Sequence, residues 1–548
     1  MRLSIFRRFY GQLGKILHAA LPIPLAIAIY LPASLSAQST KTLTIAISSP
    51  VGAINPQGYG SNAMFAQDLV YEGLTKLDTK GDIIPSLAIS WKISPDGKRY
   101  TFRLREGVRF SNGEVFDADA VILNFQSILR HREAHSWAGL TRALESVQKQ
   151  DSHTITLILK YPYTPTLNEL SFVRPFRFLA PSAFPSDLDL SKHDPTPIGT
   201  GAYTLASHEK SQEIFTINPY YTDRESGKVP YFDTIIARII FDPNSKLAAL
   251  KTGQVDVIYG QDSISLDSFS QIVRAQSAQP KNPSNSTSRD SVLRAYTSPS
   301  AFTISLVLNP NSPALATQST REALISLIDV DTLIHYVYGN LATKAHSLYA
   351  PNSTLLASLD TKTPESKSPS ATNHTHARTL SALINPAKPL ELIFISNNPA
   401  QKMLAEIIQA QAKSYHIPIA LKGIEPSAYT RSVVSGHFDL AFAQTWGAPY
   451  EPLSHLYSMQ AQGHIEYTLF ANLPQKTQIY EQINRAVFAT NTTIMEKHLR
   501  QALALITESA TILPLAHERN LALTRSDIEG IDMGVNIMDL PVAKWYRK

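Results

Sequence analysis

The chain has 548 residues, too many for one hydrophobic core, so two lobes or three domains are expected. Hydrophobic side chains make up 43% and charged ones 17%, the proportions of a soluble globular protein, with a formal net charge of +5. Scattered basic residues balanced by acids exclude a nucleic-acid binder, and the absence of cysteine excludes disulfides, thiolate metal sites, thiol nucleophiles and a lipid-modified cysteine.

Residues 1–36 read as an export signal. Arg2, Arg7, Arg8 and Lys15 make a basic start, residues 16–35 are mostly apolar, and the small residues Ser34, Ser36 and Ala37 close the segment. Pro22, Pro24 and Pro32 interrupt the apolar run and argue against a membrane anchor. The segment carries four basic and no acidic side chains, so cutting it near Ser36 or Ala37 lowers the charge from +5 to about +1. The mature protein is expected to be a periplasmic monomer.

Residues 43–48 predict the first strand, residues 49–60 are turn-rich, and residues 62–71 predict a helix. At that junction stand Tyr59 and Met64, a phenol and a thioether that serve equally as core packing. Tyr100, Phe102 and Leu104 alternate with Thr101, Arg103 and Arg105 after an Asp96-Gly97 turn, the pattern of a half-buried strand. Asp117 is placed to cap a helix whose apolar face is Val121, Ile122, Phe125, Ile128 and Leu129. Residues 321–333 predict one helix, and Met403, Leu404, Ile407 and Ile408 mark another, before a strand at 417–421. Two low-complexity stretches, 278–291 and 360–377, read as surface loops, the second holding His374 and His376.

The stretch 445–464 has the densest chemistry. A buried strand at 438–442 is broken by Gly447, Pro449 and Pro452, which leaves Trp446 and Tyr450 at a strand's carboxyl end, where open α/β sheets bind ligands. Trp446 and Tyr450 offer flat faces with polar edges, and His464 offers a ring nitrogen that can ligate a metal. An aromatic corner joining two layers would show the same residues. A hydrolytic enzyme is the least supported reading: there is no Gly-x-Ser-x-Gly, His-Glu-x-x-His or phosphate loop, and His517-Glu518 lacks a second histidine.

The run Ile84-Pro85-Ser86-Leu87-Ala88, Ser90-Trp91, Asp96-Gly97, Gly107-Val108-Arg109-Phe110 and Asn112-Gly113 resembles the signature of the peptide and nickel class (family 5) of extracellular solute-binding proteins, the receptors of ATP-binding-cassette importers. Ile198-Gly199-Thr200-Gly201, residues 252–257 and Arg321-Glu322-Ala323-Leu324 agree. Residues 62–70, His135-Ser136-Trp137, residues 173–178 and residues 445–450 are similar to the nickel-binding members. Peptide-binding members usually carry an aspartate three residues after the tryptophan of the last stretch, where this chain has Pro449.

The resemblance implies an α/β protein of the two-lobe periplasmic-binding-protein fold, large class C type, with three subdomains, a hinge and an interlobe cleft. Lobe I would span 37–288, with an inserted subdomain at roughly 84–195; lobe II would span 289–514, and 515–548 would return to lobe I. It also implies that the protein captures nickel as a complex with a small organic chelator such as histidine and delivers it to inner-membrane permease subunits, with no covalently bound cofactor. Dipeptides, oligopeptides and haem are the alternatives within the class. Tyr59, Met64, Trp137, Arg174, Trp446 and Tyr450 would hold the chelate, with Arg174 on its carboxylate. His464 would ligate the metal, with His346 a weaker candidate. Alternation along 173–178, read as a strand, points Arg174 and Arg177 to opposite faces. Ligation through a neutral ring would fade as pH falls through roughly 6.5.

Overall fold

The computed structural model describes residues 41–548 apart from 60–63, 261–262, 278–292, 352–353, 359–387, 451 and 537. The expected export signal, both low-complexity stretches with His374 and His376, and the lobe boundary expected near 288 lie outside the described residues. No helix among the described residues is long and apolar enough to cross a membrane.

Eleven of the described strands form one mixed sheet. Thr42–Ile47 runs parallel to Thr234–Ile239, with Thr42 opposite Thr234, and parallel to Val257–Tyr259 on its other side. Gln212–Ile217 and Tyr203–His208 extend that edge antiparallel. At the far edge Leu390–Ile395 lies parallel between Ile419–Ile424 and Leu440–Gln444. Two long strands join these parallel groups. Leu293–Leu308 and Ile512–Arg525 pair antiparallel along their lengths, with register shifts between Thr297 and Ser300, Ser300 and Phe302, and Ile304 and Ser305. Ile512–Arg525 reaches Val257–Tyr259, and Leu293–Leu308 reaches Leu440–Gln444. Breaks in a ladder between two long strands are where such a pair can bend. His517 and Glu518 sit within the second of them.

A separate four-stranded sheet, Ala88–Ile93, Arg99–Leu104, Thr154–Leu159 and Leu144–Asp151, falls inside the residues expected to form the inserted subdomain. Tyr100, Phe102 and Leu104 are buried while Arg99 and Arg103 are exposed, as the alternation predicts. Asp117 caps Ala118–Arg130, accepting hydrogen bonds from the backbone of Asp119 and Ala120, and the helix buries Val121, Phe125 and Ile128. One apolar cluster runs from Phe102, Phe125 and Phe176 to Leu456, Ile483 and Leu503, so the two ends of the sequence share a seam. Thr164 closes that seam remote from the sheet: its N–H donates to Val487 O at 2.9 Å and its hydroxyl to Ala489 O at 2.9 Å.

Three local expectations are corrected. The single helix over 321–333 is two, Gln318–Ser326 and Val330–Val337, because the Asp329 carboxylate accepts from Thr332 N–H and starts a new helix. Met403 lies on the solvent side of Pro399–Ser414, which buries Leu404, Ala405 and Ile408. Residues 173–178 form bends rather than a strand: Pro175 has no N–H to offer a ladder, and the Arg177 side chain occupies nearby backbone carbonyls.

Candidate functional site

The wall built by residues 445–450 follows directly from the end of Leu440–Gln444. Thr445 pairs with Thr303, its N–H donating to Thr303 O at 3.0 Å and its hydroxyl accepting from Thr303 N at 2.9 Å. Gly447 then turns with φ +72°, and a Cβ there would stand 2.9 Å from Ala301 O, so only glycine fits without movement. The turn closes by a hydrogen bond from Tyr450 N to Gly447 O at 3.0 Å. It sets the Trp446 and Tyr450 rings nearly perpendicular, 5.7 Å apart.

Trp137 forms the opposing wall, two residues after the short 3-10 helix Arg132–His135. Its ring stacks on Phe172 at 5.9 Å with planes 6° apart, and meets Trp446 at 6.1 Å and Tyr450 at 6.2 Å. Phe172 also packs on Tyr450 at 4.2 Å. Tyr59 adds an edge against Trp137 at 6.0 Å and shares a hydrogen bond of 2.8 Å with His135 Nδ1. Burial lowers the His135 pKa to about 4, so this partner is a neutral ring. The Arg174 guanidinium lies 5.1 Å over the Tyr59 ring and donates to Gly58 O at 3.2 Å. Burial lowers the Arg174 pKa, although nearby tyrosines favour its charge. Burial raises the Tyr450 phenol to about 12 against the pull of Arg174.

Arg177 makes a different set of contacts from Arg174, and not by strand alternation. Its guanidinium donates to the carbonyls of Phe172, Tyr71 and Ser171 and lies 3.4 Å from Asp68, which makes it a buried structural tie.

His464 immediately precedes Ile465–Phe470 and packs on Trp446 at 5.3 Å. Burial pushes its pKa below the ordinary histidine value, so the ring is neutral and a nitrogen lone pair is available. Also against Trp446, at 4.9 Å, is His455, only 2% exposed and held at about pKa 3 by burial and by His464. Glu466 reaches His455, with Oε1 3.9 Å from Nε2, and burial raises its carboxyl to about 7.

Tyr59, Trp137, Arg174, Trp446, Tyr450 and His464 thus fall in one contiguous cluster. Met64 lines a cavity of about 160 Å³ with Phe65, Tyr259, Met538 and Leu540. His346 is exposed after Ala342–Lys344, where its charge bears on His517 in the long strand Ile512–Arg525. His135, part of the His135-Ser136-Trp137 stretch, joins the cluster through Tyr59, and Phe172, His455 and Glu466 join it without a sequence signal. A histidine among Leu453, Leu456 and Tyr457 reads as ordinary core, and nothing along the chain links it to Glu466. Among the described residues no group of three or more His, Cys, Asp or Glu converges to hold a bare ion.

Opposed aromatic walls and two long strands that join the parallel groups of the sheet fit the two-lobe architecture of periplasmic binding proteins. The comparisons with known proteins agree. The family model described as bacterial extracellular solute-binding proteins, family 5 Middle, matches residues 82–467. The nickel-binding periplasmic protein of Escherichia coli (strain K12) is 31% identical over 507 residues, 90% of this chain and 92% of that protein. The crystal structure of NikA from Brucella suis in complex with Fe(III)-EDTA superposes with a TM-score of 0.82 at 32% identity, covering 92% of this chain and 100% of that one. NikZ from Campylobacter jejuni in complex with Ni(L-His) shares the fold, with a TM-score of 0.74 at 20% identity over 93% of this chain and 100% of that one. This chain belongs to family 5 of the bacterial extracellular solute-binding proteins. Its members bind solutes for ABC transporter permeases outside the cytoplasm and are not enzymes.

Proposed function

We propose that this protein captures nickel(II) as a complex with a small organic chelator such as L-histidine, and delivers it from the periplasm to an ABC permease. The ligand would lie between a lobe of residues 37–288 and 515–548, with 84–195 inserted, and a lobe of residues 289–514. The observation that carries this reading is the arrangement of one cation and one imidazole around three aromatic rings. Arg174 lies over Tyr59 on one wall, His464 lies on Trp446 on the other, and Trp137 stands between them. One ring nitrogen cannot fill a nickel coordination sphere, so a chelator supplies the remaining donors. A guanidinium grips the chelator's carboxylate, and the aromatic faces cover its apolar surface. In the Brucella and Campylobacter proteins the bound metal is likewise held by an organic ligand.

Titration calorimetry of the mature protein in a non-coordinating buffer tests this. Nickel salt alone and L-histidine alone should give little heat, and the two together should give tight binding. Tight binding of bare nickel, or none with the pair, would reject the proposal.

A further inference from the structure

We propose that the hydrogen bond between Thr303 and His517 is a lock in the hinge between the two lobes, which favours their closed arrangement and so scales the affinity for every ligand by the same factor. The lock goes beyond the chelate reading, because it does not depend on what is bound. Between two breaks in the ladder, Leu293–Leu308 and Ile512–Arg525 pair only through Phe302, Thr303 and Ile304 against Glu518, His517 and Ala516. Ala301 is the extra residue at one break, on the first strand, and Leu515 at the other, on the second, next to Pro514, which has no N–H for a regular ladder. The short strand Ala342–Lys344 lies against the same Ala516, His517 and Glu518. A short paired piece with a break at each end is where the two strands can change their angle.

The Thr303 hydroxyl and His517 Nδ1 share a hydrogen bond of 2.9 Å across this piece, and both residues are buried. Burial, and then the charge of His346, lower the His517 pKa to about 4, so the ring is neutral, with one nitrogen to donate and one to accept. A hydrogen bond weakens steeply as its angle departs from linear, so one that spans the two strands resists their bending. The same piece is tied to the aromatic wall. Thr303 N–H donates to the Thr445 hydroxyl at 2.9 Å, and Thr303 O accepts from Thr445 N–H at 3.0 Å, one residue before Trp446. Glu518 accepts from Gln444 Nε2 at 2.9 Å. Ala301 O, in the first break, is the atom that a Cβ at Gly447 would meet. A bend here moves the strand end that carries Trp446 and Tyr450. The lock is made with Trp137 and Trp446 only 6.1 Å apart, so its loss takes stability from the closed arrangement. A ligand that needs that arrangement then binds more weakly in proportion to the closed fraction.

The test compares Thr303→Val and Thr303→Ser with the parent protein. Valine suits a buried strand, removes the hydroxyl and leaves the backbone bonds to Thr445 in place, whereas serine keeps the hydroxyl. The chain has no cysteine, so Lys210→Cys in one lobe and Lys402→Cys in the other, both exposed, take spin labels without background. Double electron–electron resonance on the free protein reads the lobe separation, and calorimetry reads nickel with L-histidine and Fe(III)-EDTA separately. Thr303→Val should move the distances toward a longer, open population and weaken both chelates by the same factor, about two- to tenfold, the worth of one neutral hydrogen bond. Thr303→Ser should match the parent in all readings. Distances that stay or shorten, a loss confined to one chelate, or a Thr303→Ser that loses as much as Thr303→Val would overturn the lock. If the parent binds neither chelate, the chelate reading fails, and the distances alone decide the lock. If Thr303→Val does not fold, His517→Phe, which removes the other partner of the bond and keeps a buried ring, reads the same distances and affinities.

Discussion

The indole rings of Trp137 and Trp446 meet edge to face, with centroids 6.1 Å apart and planes at 75°. One belongs to the sequence before the long strand Leu293–Leu308 and the other to the sequence after it, and the same seam is tied by Thr164 to Val487 and Ala489. In the chelate reading, a ligand that the two walls cover enters while they are apart. Binding and closure would then be one equilibrium. Saturating nickel with L-histidine is expected to raise the melting temperature, by about 2.7 kcal/mol of added stability at a hundred times Kd. It should also shrink the radius of gyration in small-angle scattering. Identical scattering curves with and without ligand would instead point to a rigid cleft.

The two arginines at residues 174 and 177 separate binding from stability. Arg174→Ala should weaken chelate binding by tenfold or more, an order-of-magnitude figure for a charge-assisted contact, and leave melting nearly unchanged. Arg177→Ala removes donors from three buried backbone carbonyls and a partner from the half-buried Asp68. It should cost about 3–5 kcal/mol in denaturant unfolding. Equal binding by Arg174→Ala and the parent would reject the carboxylate-anchor role.

That contrast also shows what the sequence makes legible. Local signals carry far: the alternation of Tyr100, Phe102 and Leu104, the Asp117 cap and the break after Gln444 all appear where the side-chain pattern places them. The different roles expected for Arg174 and Arg177 rested on strand alternation, which is the wrong basis, since residues 173–177 form bends and carbonyl contacts hold Arg177. The long-range partners are not readable. Phe172 under Trp137, and Glu466 against His455, depend on how elements distant in sequence meet, and a single chain carries no periodic mark of that. Met64 reads the same whether it faces a ligand or the cavity it shares with Met538.

Gly447 tests whether the aromatic wall depends on its turn. With φ +72° and Ala301 O only 2.9 Å from where an added methyl carbon would stand, Gly447→Ala meets both a disfavoured backbone region and a backbone clash. A loss of about 1–3 kcal/mol in thermal unfolding is expected, together with weaker chelate binding as Trp446 shifts. Unchanged melting and affinity would show that the turn has room to relax.

His455 and Glu466 set opposite pH dependences of stability. The His455 pKa falls from 6.5 unfolded to about 3 folded, so its contribution is present above pH 6.5 and lost as pH falls. The Glu466 pKa rises from 4.5 to about 7, so its contribution is present below pH 4.5 and lost as pH rises. Between pH 4.5 and 6.5 the two slopes oppose one another and their sum is nearly flat. Glu466→Gln removes one of them. Across that window the variant should lose about 1.4 kcal/mol per pH unit on acidification relative to the parent, measured by urea unfolding. Parallel pH profiles for the two proteins would contradict the burial of these groups.

The proposed role of His464 as a metal ligand can be tested directly. If a neutral ring nitrogen completes the coordination sphere, His464→Ala should lose affinity for nickel with L-histidine by tenfold or more, an order-of-magnitude loss for one metal ligand. It should retain Fe(III)-EDTA, whose chelator fills the metal positions while Arg174 and the aromatic faces still bind it. The pH at which binding fades follows from burial. An unperturbed imidazole would lose binding as pH falls through 6.5, but burial lowers the His464 pKa below that value. Since protonation is what removes the lone pair, a lowered pKa keeps the ring competent further into acid, and the midpoint should lie below 6.5. Calorimetry repeated from about pH 7.5 downward measures it, with His464→Ala as the control that lacks this titration. A midpoint at or above 6.5, or an identical pH profile in His464→Ala, would remove His464 from the coordination sphere and direct the search to the exposed His346.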